Sequence, residues 1–155
     1  MAKKIPYGLT DYFRIVTEDF YFVFKTKYIE DLEKTAAFLF LIRPRRFGKS
    51  LFLNMLNCYY DVKYADRFEE LFGNQYIGKH PTAEQGKYLV LRFNFSMVRA
   101  TDDKLEAAFN RHISLETAYF ASVYASYFKP DFQEQLKLIP EAAGRLEYIC
   151  LCAKE

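Results

Sequence analysis

Tryptophan is absent from this sequence, and cysteine and histidine are scarce, with three and two residues among 155. The cysteine count is odd, so a disulfide framework is not indicated. No apolar run approaches the roughly 18 residues of a membrane-spanning helix, and the N-terminal residues lack the pattern of a secretory leader. These absences predict a cytoplasmic protein in a reducing compartment, without membrane contact.

The few cysteines and histidines also argue against a zinc site or a Cys/His catalytic pair. Cys150 and Cys152 are too close in sequence to form a structural zinc pair, and no further ligands stand at zinc spacing. His80 and His112 are far apart and have no metal or triad neighbourhood. Together with Cys58, the cysteines are therefore predicted to be buried apolar thiols.

What the sequence does contain is a large apolar and aromatic fraction with little net charge. Hydrophobic residues make up 51%, aromatic residues 19%, and the formal net charge is +2. This composition is typical of a chain that forms one packed domain, and it excludes a polycationic nucleic-acid binder. One local cluster of positive charge is dense, formed by Arg43, Arg45, Arg46 and Lys49.

The hydrophobic pattern predicts an α/β fold. Residues 38–42 form a continuous apolar run, typical of a strand buried on both faces, and residues 88–95 form a second such segment. Helices are expected at 26–34, 50–60, 65–72 and 103–128, with a last helix after Pro140; Thr101, Asp102 and Asp103 would cap the long one. We therefore expect a partial parallel sheet flanked by helices, in one incomplete domain covering 1–155, with a phosphate-loop unit at about 38–60.

Gly48, Lys49 and Ser50 form the triplet that ends a phosphate-binding loop. In such a loop the glycine lets backbone N–H groups turn toward phosphate, the lysine neutralises its charge, and the hydroxyl ligates Mg²⁺. The predicted strand before the triplet and the predicted helix after it are the context that this motif requires.

The start of the loop departs from the usual pattern. Arg43 occupies the position of the first glycine, five residues before Gly48, and Pro44 removes a backbone donor. Guanidinium groups can replace lost amide donors, because arginine contacts phosphate through two parallel hydrogen bonds. A variant phosphate loop is one interpretation, and a basic surface turn between strand and helix is the other.

Five stretches resemble the predicted AAA-ATPase-like domain found at the N-terminus of many uncharacterised bacterial proteins. They are IPYG at 5–8, FKTKYIEDLE at 24–33, FLFLIRPRRFGKSLFLNML at 38–56, RFEELFGNQYIGK at 67–79 and KYLVLRFNFS at 87–96. The resemblance implies a P-loop NTPase fold that uses ATP and Mg²⁺, often followed by a restriction-endonuclease-like domain. It also implies that the arginine-rich form of the loop is usual.

Carried over by position, the resemblance implies nucleotide-binding residues at Arg43, Arg45, Arg46, Phe47, Gly48, Lys49, Ser50 and Leu51, with Ser50 also a magnesium ligand. Phe24 and Asn94 stand where the family usually has carboxylates. An apolar strand ending in Asp-Glu, which would hold Mg²⁺ in that family, is not found within the 155 residues. We therefore expect a truncated domain with no catalytic residue of its own, which binds ATP but hydrolyses little of it.

Two other functions remain open at this point. The basic cluster and Phe47 could contact nucleic acid instead of a nucleotide. Alternatively, the chain could be a non-catalytic interaction fragment that self-associates through the unpaired edge of its incomplete sheet.

Overall fold

The computed structural model describes residues 3–35, 37–99, 101 and 104–153, which divide into two compact units, residues 1–89 and 90–155. In the first unit, the α-helices are α1 (Tyr12–Thr17), α2 (Tyr28–Glu33), α3 (Lys49–Tyr60), α4 (Phe68–Phe72) and α5 (Tyr76–Lys79). A 3₁₀ helix, Val62–Arg67, joins α3 to α4.

The second unit contains α6 (Leu105–Val123), α7 (Phe132–Leu138) and α8 (Ala142–Cys152), with short 3₁₀ helices at Phe95–Met97 and Ala125–Tyr127. Helix α6 packs against both α7 and α8. The predicted helices after Pro140 and before Pro130 are thereby confirmed. The proposed cap at Asp102 and Asp103 lies outside the described residues.

The predicted parallel sheet is wrong. Within the described residues, β-pairing is limited to one isolated parallel bridge between Asp61 and Tyr88. Its two hydrogen bonds run from Val62 N–H to the Tyr88 carbonyl, at 3.0 Å, and from Tyr88 N–H to the Tyr60 carbonyl, at 2.9 Å. The chain therefore folds, over its described part, as packed helices and irregular segments rather than as an α/β sheet.

Among the described residues, the segment predicted as a strand at 38–42 pairs with no other segment, and the one at 88–95 pairs only through the bridge at Tyr88. Residues 38–42 are open to solvent, with Phe38, Phe40 and Ile42 about nine-tenths exposed. The segment 88–95 leaves its bridge at Tyr88 and ends where the Asn94 side chain caps the 3₁₀ helix at Phe95. An apolar run becomes a buried strand only when neighbouring strands take its backbone hydrogen bonds. Self-association through a sheet edge consequently loses its structural basis.

The core of the first unit is aromatic and holds α1, α3, α4 and α5 together. Its buried members are Tyr12, Ile15, Ile29, Leu51, Met55, Cys58, Tyr59, Leu71, Phe72 and Ile77. The ring of Phe72 stacks on Tyr12 at 5.2 Å and meets the edge of Tyr59 at 5.4 Å. The prediction of buried thiols is confirmed for Cys58 and wrong for Cys150, which is exposed.

The hydroxyl group of Tyr12 is fully buried and joins α1 to the end of α4. It pairs with the Gln75 amide and donates to the Leu71 carbonyl, at 3.0 Å. Burial raises the pKa of this hydroxyl well above its ordinary value, so it remains protonated and can donate.

We expect Tyr12→Phe to lower the free energy of unfolding by about 1–2 kcal/mol, because the buried Gln75 amide then loses a partner. The matched change Tyr7→Phe, at a side chain that is 93% exposed, should alter it by less than about 0.5 kcal/mol. Urea unfolding followed by circular dichroism measures both. Equal stabilities of the two variants would contradict the assigned hydrogen bonds.

Candidate functional site

The N-terminus of α3 is held firmly because one face of this helix is buried. Leu51, Met55, Cys58 and Tyr59 pack into the core at the helical spacing of three and four residues. The Asn54 side chain also accepts a hydrogen bond from the Tyr12 N–H, at 2.8 Å. The predicted helix 50–60 is thus confirmed, and the loop before it is attached to a rigid element.

The backbone of this loop turns through two left-handed residues. Gly48, at the N-cap of α3, has φ of +74°, and Arg46 has φ of +66°. A Cβ at Gly48 would meet nothing within 4 Å, so this position favours glycine for its backbone conformation and not for space. No side chain of the described residues caps α3 at Gly48. The first-turn N–H groups of α3 therefore point out of the helix end, where an anion is favoured.

Lys49 folds back over the loop that precedes it. Its ammonium group donates to the carbonyl of Arg43, at 2.6 Å, and to the carbonyl of Pro44, at 3.0 Å. These two bonds hold the start of the loop next to the helix N-terminus. A lysine ammonium has three donors, so an incoming anion can share it or displace the two carbonyls.

A cavity of about 630 Å³ opens beside this loop. The loop side of its wall consists of Arg43, Arg46, Phe47, Gly48 and Lys49, with Leu51 beneath them. The wall also includes residues of α2 and of the segments that flank it, namely Tyr21, Phe22, Val23, Lys25, Tyr28, Asp31, Leu32 and Thr35. Three of the four cationic residues that line this largely apolar cavity, Arg43, Arg46 and Lys49, thus belong to the loop, and the fourth is Lys25.

Six of the eight predicted site residues line this cavity, and all eight are described. Arg45 and Ser50 do not line it; both are exposed on the same turn. Leu51 lines the cavity but is only 7% exposed, so its side chain belongs mainly to the core. The sequence motif did not indicate the wall formed by α2, since no spacing relates residues 25–35 to the loop.

The carboxylate at the end of α2 is hydrogen-bonded to two hydroxyl groups from other segments. The Glu33 carboxylate accepts from the Thr82 hydroxyl, at 2.7 Å, and from the Tyr60 hydroxyl, at 3.1 Å. Burial, followed by the nearby charge of Glu33, raises the pKa of the Tyr60 hydroxyl, which keeps it a donor. The end of α3 and the end of α2 are therefore connected.

In the described part of the chain, the histidine, cysteine and acidic side chains form no group of three or more that could hold a metal ion. None of its helices combines the length and the apolar character needed to cross a membrane.

Comparison with known proteins identifies relatives of this sequence. The model of a family described as predicted AAA-ATPase matches residues 6–149. An uncharacterised protein encoded in the vnfD 5′ region of Azotobacter chroococcum mcd 1 is 46% identical over 55 residues. That segment is 35% of this chain and 11% of the Azotobacter protein, so the match spans a small part of that protein. No solved structure matches the chain.

Proposed function

Since the chain belongs to the predicted AAA-ATPase family, we propose that it is a cytoplasmic protein whose loop from Arg43 to Ser50 binds the phosphate groups of ATP. The observation that carries this proposal is the cavity beside the loop. Arg43, Arg46 and Lys49 line it at the uncapped N-terminus of α3. Cationic side chains and first-turn amides together favour a polyanion at this end.

The present position of Lys49 predicts a modest affinity. Its ammonium group must exchange the carbonyls of Arg43 and Pro44 for phosphate oxygens. The donor is charged in both arrangements, but phosphate oxygens also carry negative charge and carbonyl oxygens do not, so the exchange favours the ligand. Part of that gain is offset by the loss of the two bonds that hold the loop.

Magnesium fits this site as an ion carried by the nucleotide. Mg²⁺ commonly uses one or two protein ligands together with phosphate oxygens and water. Ser50 is exposed in the first turn of α3, and its hydroxyl would supply one oxygen. Bound Mg²⁺ would neutralise phosphate charge. Hydrolysis would need a further carboxylate to hold this ion and a group to position the attacking water.

We expect Lys49→Ala to weaken ATP binding at least about tenfold, because it removes one charge-assisted contact. Isothermal titration with ATP in the presence of Mg²⁺ measures the dissociation constants of both proteins. Lys87→Ala is the matched control, since Lys87 is exposed and does not line the cavity. Circular dichroism should show that both variants are folded.

Equal affinity of the wild type and Lys49→Ala at millimolar ATP would contradict the proposal. Binding of single-stranded DNA that ATP fails to displace would instead favour a nucleic-acid site on the same basic turn.

A further inference from the structure

The cavity extends well beyond the part that phosphate groups would use. At about 630 Å³ it is within the range of small-molecule sites, which is roughly 300–1,000 Å³. Aromatic side chains also line it, namely those of Tyr21, Phe22, Tyr28 and Phe52, with Phe47 on the loop itself. Inorganic phosphate has no group that such a wall could contact. The shape and chemistry suit a ligand with an anionic end and a flat apolar body.

Helix α2 presents a regular stripe to this apolar part. Tyr28, Asp31 and Leu32 line the cavity, at the spacing of three and four residues that one face of a helix presents, and Thr35 lines it just beyond the end of α2. Among the described residues that line the cavity, Asp31 alone carries negative charge. An ionised carboxylate only accepts hydrogen bonds, so it favours a ligand with N–H donors on the edge of its flat body.

We propose that the cavity takes the base of an adenine nucleotide, with the exocyclic amino group donating to Asp31 and the aromatic wall packing against the ring. This inference rests on the proposed function, because the phosphate loop determines which end of the ligand enters. Base and aromatic side chains stack favourably, by roughly 1–3 kcal/mol per base in nucleic-acid complexes. The carboxylate then discriminates between bases with and without an amino group.

Comparing the affinities of three ligands tests the phosphate site and the base site separately. The ligands are inorganic tripolyphosphate, ATP, and purine riboside triphosphate, which differs from ATP only in lacking the amino group. We expect ATP to bind at least about tenfold tighter than tripolyphosphate, because of the ring contacts. We expect ATP also to bind about tenfold tighter than purine riboside triphosphate, because of the hydrogen bond to a charged acceptor.

The variant that tests the role of the carboxylate is Asp31→Ala. It should bind ATP and purine riboside triphosphate alike and retain its affinity for tripolyphosphate within about threefold. Glu30→Ala is a matched control, because Glu30 is also an acidic residue of the first turn of α2 but does not line this cavity. It should keep the tenfold preference of the wild type.

The outcomes are distinct. If wild-type protein binds tripolyphosphate as tightly as ATP, the base site is wrong while the phosphate loop stands. If it binds neither ligand, the proposed function fails. If Asp31→Ala keeps the full preference for the amino group, the assigned role of Asp31 is overturned.

Discussion

Phe72→Ala is expected to lower the free energy of unfolding of the first unit by about 3–5 kcal/mol, the range for removing a large buried aromatic side chain. Phe72 is fully buried between Tyr12, Tyr59 and Phe68. Its replacement leaves a cavity that three aromatic rings cannot close, since rigid rings relax little. Urea unfolding followed by circular dichroism is the suitable measurement, because the protein has no tryptophan to report by fluorescence.

The informative control is Phe40→Ala, which removes the same side chain from the apolar run 38–42. Phe40 is 92% exposed, so its loss should change stability by less than about 0.5 kcal/mol. A buried strand at 38–42 would instead make this variant as unstable as Phe72→Ala. The pair of variants therefore tests the correction of the fold directly, and equal destabilisation would contradict the structure.

The double variant Arg43→Gln/Arg46→Gln is expected to weaken ATP binding about a hundredfold. Both arginines line the cavity. Loss of each charge-assisted contact should weaken the affinity about tenfold, a value that allows for the effect of solvent exposure on its strength. If the contacts are independent, the two losses of binding free energy add and the two changes in affinity multiply. Glutamine keeps a long polar side chain, and at position 46 it has the same difficulty as arginine in adopting a positive φ. The variant and the wild type therefore differ in charge and not in the backbone preference of the loop.

Arg45→Gln is the control for this experiment, because Arg45 lies on the same turn but does not line the cavity. We expect less than about a threefold change in affinity from this single variant. A loss at Arg45 as large as that at Arg43 or Arg46 would indicate a basic surface turn that attracts anions in general. Titrations at two salt concentrations add a further check, because screening weakens exposed charges most.

Helices were predictable where a local pattern was sufficient. The spacing of Leu51, Met55 and Tyr59 predicted α3, which begins at Lys49 and ends at Tyr60 as expected to within one residue. The long aromatic helix was recognised in the same way and is α6. In both cases the apolar face of one segment carries the information, because residues three and four apart are neighbours on any helix.

Strands were not predictable here, because their formation depends on distant partners. The run 38–42 has the composition of a buried strand, but composition specifies neither a neighbouring strand nor its register. The exposure of Phe38, Phe40 and Ile42 is a property of the packed chain and not of the local sequence. The prediction that Cys150 is buried was wrong for the same reason, since apolar character only describes a tendency toward burial.

The sequence by itself determined the chemistry of the loop: its arginines, the lysine and the glycine whose left-handed conformation begins α3. Only the tertiary structure decided what faces that loop. It places α2, with Tyr28 and Asp31, around the same cavity as residues about twenty positions further along the chain. The physical reason is that a side chain and its backbone conformation are local properties, whereas a binding cavity is the space left between segments that the core brings together.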